Sequence, residues 1–445
     1  MDRRKFFRRS TAGIAGAAVL VDHQAIAADS TECSLRCGRP LAGDFTVLWK
    51  ATDPMHEIGY CPALARLPSG RLIGCMLHAG TDAEKQREWT VKIHTSDDRG
   101  GTWSHRADVA MIDCFPFAAG SSVYVIGGRH DLTIVRSDDQ GTTWSAPVKL
   151  TKGKLWYCHP GSAVVAWGRI YFVMEQIMAP IERGFPTHVF APVVLSARLS
   201  DDLTKPDAWT FSNTLSFEEV IEQNGEPNLL GVPFYSPGRY EHPTSYRGMA
   251  PIGWGETNLV QIADPDNIWF DPNGRTFHLL SRAVSGCTNV ACLAKAVESE
   301  DGSRITVSLQ EAPSGKAMLY IPFPGGQVSF HIVYDEQSRL FWMISSQATD
   351  SMKRVELLKP KRYGMPNQER HRLALHFSRN CIDWCFAGLV AKVDDVGHSH
   401  HGGNMIIDGD DLHILMRTAN ESAKNAHNSN LITFHTVRRF RDLVY

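Results

Sequence analysis

The sequence has no Cys-x-x-Cys pair, no Cys-x-x-Cys-His run of the haem-attachment kind and no paired-histidine motif of metalloprotease type. Each of these would set metal or haem ligands at a fixed spacing. A transition-metal centre therefore has weak support, and no cofactor is expected. Net charge is nearly absent too: 46 Lys and Arg against 48 Asp and Glu leave −2 over 445 residues. That balance disfavours nucleic acid and anionic membrane as partners. Beyond the N-terminus no run is long and apolar enough to anchor the chain, and amphipathic helical patterns are scarce. Short apolar runs between Gly and Asp turns recur instead, which points to an all-β repeat architecture.

The clearest repeat is an eight-residue turn. Ser96-Asp97-Asp98-Arg99-Gly100-Gly101-Thr102-Trp103 returns 41 residues later as Ser137-Asp138-Asp139-Gln140-Gly141-Thr142-Thr143-Trp144. Both fit S-x-D-x-G-x-T-W, the Asp-box pattern. Ser and Asp side chains can hold a tight turn through backbone amides, and Gly supplies a positive φ. Thr and Trp then start a strand, the indole packing between layers. A period of this size means stacked supersecondary units. The boxes are read as hairpin turns without a catalytic role.

Residues 2–8 read Asp-Arg-Arg-Lys-Phe-Phe-Arg, followed by a small-residue apolar stretch over 11–21 and then Ala25-Ile26-Ala27. This resembles a twin-arginine export signal with an A-x-A cleavage site. Residues 1–27 are read as removed and the protein as periplasmic or secreted, with 28–44 a linker and 45–445 the folded domain. Removal of the signal's five basic and two acidic residues leaves a net charge of −5. All ten cysteines lie after it. Cys33 and Cys37, or Cys381 and Cys385, could pair, but export of an already folded chain makes disulfides unnecessary for folding.

Six stretches share one plan, a polar or aromatic opening, an apolar strand, a turn and a second strand: 60–73, 114–126, 157–172, 256–277, 326–342 and 401–414. Degenerate boxes fit at Ser200-Asp201-Asp202 with Trp209, and at Ser378 with Asp383-Trp384. Six units imply a six-bladed β-propeller, with residues 45–49 pairing with the last blade to close the ring and remove its free edges. The stretch 177–253 is longer than a blade needs and is read as a loop insertion over one face.

Boxes, blade count and export signal together resemble the sialidase superfamily of six-bladed propellers. The resemblance implies a site at the ring centre, where an arginine triad holds a substrate carboxylate, an Asp serves as acid/base, and a Tyr nucleophile is activated by Glu. It implies that Glu256, in Gly255-Glu256-Thr257-Asn258, is the central carboxylate and Arg282 a substrate clamp. Arg372 matches the third triad arginine, with Arg370 its rival, and Asp82 falls where the acid/base Asp would. Departures are also clear. The family's R-I-P opening reads Tyr60-Cys61-Pro62, His78-Ala79 replaces the second first-blade arginine, and the late Tyr-Ser segment reads His398-Ser399-His400-His401-Gly402-Gly403.

Histidines stand where the family has its catalytic centre. His159, His400 and His401 open the third and sixth inner strands, and imidazole transfers protons near neutral pH. Tyr60 and Tyr157 are candidates to stack on sugar faces, while Arg417, Asn425 and His427 are read as lining a loop. Arginines with His and Glu suit a carboxylate-bearing carbohydrate. The expected protein is an exported, monomeric, glycan-active enzyme, a glycoside hydrolase of sialidase type acting on an acidic or decorated saccharide. A lyase acting on uronate-containing glycans and a non-catalytic glycan-binding propeller remain the alternatives.

Overall fold

The computed structural model describes residues 39–80, 89–128, 130–180, 187–225, 252–354, 357–358 and 368–445. Their strands form six antiparallel sheets arranged as blades within the unit Pro40–Tyr445. The innermost strands are Glu57–Arg66, Phe115–Ala119, the split pair Leu155–Tyr157 and Val164–Ala166, Gly253–Val260, His331–Asp335 and Ser399–Asp408. The sixth blade is completed by Phe45–Lys50, paired with Leu431–Val437, so the ring closes between the two ends of the domain as expected.

Closure is visible in the packing. Adjacent blades bury apolar faces against each other because strand residues i and i+2 share a face. Tyr171 and Val173 of the third blade pack on Trp254 and Leu279 of the fourth. Leu48, Phe434 and Leu415 of the sixth blade pack on Leu64 and Met76 of the first. The remaining four gaps are filled in the same way.

The two boxes fold alike. Asp98 accepts from the Thr102 amide at 2.8 Å and hydroxyl at 2.7 Å, while Ser96 Oγ accepts from the Gly100 amide at 2.8 Å. Asp139, Thr143, Ser137 and Gly141 repeat the set. Gly100 has φ 87°, and a Cβ there would lie 2.1 Å from the Phe434 ring, so both conformation and contact require glycine. Of the degenerate copies, the Asp202 carboxylate accepts from the amide and hydroxyl of Thr204, two residues on rather than four. In the other, the Asp role falls to Asn380, whose Oδ1 accepts from the Asp383 amide at 2.8 Å; Asp383 stands where the boxes carry Thr.

The stretch 177–253 is not one loop. It contains the outer strands Phe190–Arg198 and Trp209–Phe211 of the third blade and a short helix, Phe217–Asn224, opened by a Ser216–Glu219 capping box. The alternation of Phe190–Arg198 was hidden because the strand is buried on both faces and reads as a continuous apolar run. The segments 184–186 and 233–246, read as loops, lie outside the described residues.

Candidate active site

Three inner strands break register at one level of the ring: between Tyr60 and Ala63, Gly255 and Asn258, and His401 and Asn404. Each break carries a left-handed residue, Cys61 (φ 42°), Glu256 (φ 54°) and Gly402 (φ 55°). Such bulges re-aim side chains, and a positive φ at Glu is maintained only where its surroundings fix it. Just past two of these bulges, asparagines stitch the blades together. Asn258 accepts from the Ser162 and Ile332 amides and donates to Phe330 O, all within 3.1 Å. Asn404 accepts from the Leu64 amide and donates to Pro160 O. Beyond this seal the opposite mouth of the channel holds a cavity of about 480 Å³, lined by Val260, His331 and Met405 among others.

Glu256 is buried and held from two sides. Its Oε2 accepts from Arg282 Nη1 at 3.0 Å, and its Oε1 accepts from the Tyr157 hydroxyl at 3.2 Å. Arg282 is itself fixed by donating Nε–H to Gln327 O. Burial alone would raise the Glu256 carboxyl, but the charge and hydrogen bond of Arg282, with the charge of Arg370 adding to them, bring it down to about 2, so it is ionised. Burial and the Glu256 charge push the Tyr157 phenol well above its ordinary value, so it keeps its proton.

Around this pair stand groups from four other blades. His159 Nε2 bonds Ser329 Oγ at 2.8 Å, and its buried Nδ1 has no protein partner. His401 Nδ1 bonds Ser399 Oγ at 3.1 Å, and its Nε2 is likewise unpartnered. Burial lowers both imidazoles, His401 well below its usual value with Arg417 and Arg370 adding to the effect; both are neutral. Arg417 lies with its guanidinium 4.4 Å from the Tyr60 ring centre, and Tyr60 also packs on Trp89 and His427. Asp113, left-handed and buried, takes hydrogen bonds from the Cys61 thiol and the Cys158 amide; burial raises it to about 6. Three guanidinium groups therefore share the centre with one carboxylate held fully ionised at neutral pH and a second, Asp113, above its midpoint.

The structure brings Glu256, Arg282, Tyr157, His159, His401 and Tyr60 together, and leaves two candidates elsewhere. His400, one residue from His401, points to the other face of the strand. Its Nδ1 bonds Thr418 Oγ1, and its ring packs by Phe45 and His435. Arg372 is tied to Glu369 and Thr349 at the end of its strand, whereas the rival Arg370 is the one whose charge reaches Glu256 and His401. Asp82 lies outside the described residues. Of the residues read as lining a loop, Arg417 instead sits inside the strand Asp411–Ala419, whereas Asn425 holds the turn that carries His427; Arg417 and His427 both pack on Tyr60. Sequence reasoning also passed over Asp113, Cys61 and Glu175. For Glu175 there was a signal, a lone carboxylate in the apolar run of Arg169–Ile177. Among the described residues no cluster of three or more His, Cys, Asp or Glu is arranged to hold a metal ion.

Neither a family model nor a curated protein matches the chain in sequence. Solved structures do match in fold. A sialidase of Trypanosoma rangeli superposes with TM-score 0.50 at 12% identity, over 90% of this chain and 60% of that one. A Dyadobacter fermentans protein of unknown function gives TM-score 0.50 at 10% identity, over 88% and 97%. An α-L-arabinanase of Penicillium chrysogenum gives TM-score 0.47 at 11% identity, over 91% and 100%. The chain is a six-bladed β-propeller of sialidase-like fold.

Proposed function

We propose that the protein is a glycan-active enzyme, a glycoside hydrolase that takes an acidic saccharide at the ring centre. The observation that carries this reading is the Tyr157 hydroxyl on the Glu256 carboxylate, with Arg282 on the same carboxylate and Arg370 and Arg417 close by. The late Tyr-Ser segment is missing from the sequence, but a Tyr–Glu pair is present, assembled from the third and fourth blades.

In this reading a substrate carboxylate is gripped by guanidinium groups, whose planar donors suit it. The incoming anion then offsets the positive field that keeps Glu256 acidic, and Glu256 becomes the stronger base. Glu256 takes the phenolic proton as Tyr157 oxygen bonds to the anomeric carbon. The glycosidic bond breaks and its oxygen leaves with a proton, supplied by Asp82 on the family resemblance. Water then attacks the anomeric carbon, giving up a proton to the Asp82 carboxylate left by the first step, as Tyr157 departs and regains its proton from Glu256. Export with loss of residues 1–27 belongs to the same proposal.

A second reading has its own observation. His159 and His401 are neutral and each keeps a ring nitrogen without a protein partner. Such a nitrogen could remove the C5 proton of a uronate whose carboxylate an arginine neutralises, giving β-elimination. Incubation with sialylated and uronate-containing glycans separates the readings. New reducing ends without ultraviolet absorbance are expected. An absorbing unsaturated uronate would favour the lyase, and retention on glycan arrays without any product would leave a binding propeller.

A further inference from the structure

Behind the Glu256–Arg282 pair lies a second polar row that the chemistry above does not use. Glu175 is fully buried in the gap between the third and fourth blades, directly opposite Tyr157 in strand pairing. Its Oε1 accepts the Thr257 amide at 2.8 Å. The Thr257 hydroxyl in turn bonds Ser281 Oγ at 2.7 Å. Thr257 follows Glu256 and Ser281 precedes Arg282, so this row braces, one residue along each strand, the two partners of the central ion pair. The other carboxyl oxygen of Glu175, Oε2, is buried and has no hydrogen-bond partner.

We propose that Glu175 is a positioning residue that works as a neutral carboxylic acid, holding the Thr257 amide and through it the bulge that aims Glu256 at the ring centre. A bulge leaves ladder groups unpaired, and the amide next to Glu256 finds its acceptor in Glu175. The left-handed Glu256 is thus fixed by its backbone as well as by its side chain. An ionised Glu175 would set a second, unpaired negative charge in the gap, and an unpaired buried charge is costly.

The groups facing Glu175 agree with a neutral form. On one side are the protonated Tyr157 phenol and the Cys158 thiol, both pushed up by burial. On the other is the Glu256 carboxylate, already paired with Arg282. Pro192, opposite on the third strand, carries no charge. Burial, with the Glu256 charge adding to it, raises Glu175 to about 8 against the hydrogen bonds from Thr257.

The inference rests on Glu256 being the central carboxylate, and its test needs no substrate, so a failure of the hydrolase reading leaves it intact. Infrared difference spectra of the full chain, wild type against Glu175→Gln, are expected to show one protonated-carboxyl stretch at neutral pH. That band is lost in the variant and titrates away as pH rises through about 8. A carboxylate at position 175 at neutral pH overturns the proposal. The positioning role is read at pH 4 on Glu256, its band assigned with Glu256→Gln. Glu256 should remain ionised in wild type and in Glu175→Gln, which keeps the acceptor oxygen. It should be partly protonated in Glu175→Met, which removes that oxygen. A Glu256 band unchanged in Glu175→Met, or shifted equally in Glu175→Gln, contradicts the role.

Discussion

The rim turns and the ring centre use carboxylates in opposite ways. At the rim, Asp98 and Asp139 reach Thr and Ser no more than four residues away, in turns open to water. At the centre, Glu256 meets Tyr157 across 99 residues and Arg282 across 26, and Glu256, Arg282, His159 and His401 are buried. Rim groups hold the backbone locally and recur as a pattern. Central groups occur once each, and their ionisation states are set by one another. Chemistry is concentrated where the polar groups are buried and unlike each other.

Breaking the centre should therefore cost far more than breaking the rim. Arg282→Met leaves the Glu256 carboxylate buried without its partner, and the expected loss is about 3–5 kcal/mol in urea unfolding. Asn258→Ala is next. It strands the Ser162 and Ile332 amides and the Phe330 carbonyl, from the two neighbouring inner-strand segments, and the expected loss is on the order of 3 kcal/mol.

The contrast also explains what could be read from the sequence. Box residues are adjacent in the chain, so Ser96 to Trp103 disclosed turn, strand start and repeat together, and the blade count followed. His159 and Glu256 were legible because strand starts of a propeller converge on its axis, and Arg282, late in the second strand Thr276–Val284, through the family resemblance. His400 was misread because side chains alternate along the strand, so that of two adjacent histidines only His401 faces the centre. Arg372 was preferred to Arg370 for its place before an apolar run, yet Glu369, buried beside it, captures its guanidinium. Arg417, read as lining a loop, lies inside the strand Asp411–Ala419 and reaches the centre past Tyr60. None of these depends on residue type; each depends on which face of a bulged strand a side chain takes.

pH sharpens the comparison. Glu175 has an ordinary value of 4.5 and a folded value of about 8, so between these the folded chain holds a proton that the unfolded chain has lost. The stability this contributes is full below 4.5 and is lost as pH rises through 8. Wild type should accordingly lose stability relative to Glu175→Gln across that window, by on the order of 1 kcal/mol per pH unit. Glu256 works with the opposite sign. Its folded value of about 2 gives stability that is present above 4.5 and lost as pH falls through 2. The smallest effect belongs to the rim. Asn380→Asp with Asp383→Thr restores the box chemistry in the fifth blade, and the melting temperature should move by no more than the equivalent of about 0.5 kcal/mol.

The most direct measurement is the rate at which Glu256→Gln releases reducing ends from an acidic glycan that the wild type cleaves, followed with its far-ultraviolet circular dichroism to show that it is folded. A folded variant slowed by about 100-fold or more is the predicted result. A folded Glu256→Gln that turns over at the wild-type rate would contradict the placement of the chemistry at the ring centre.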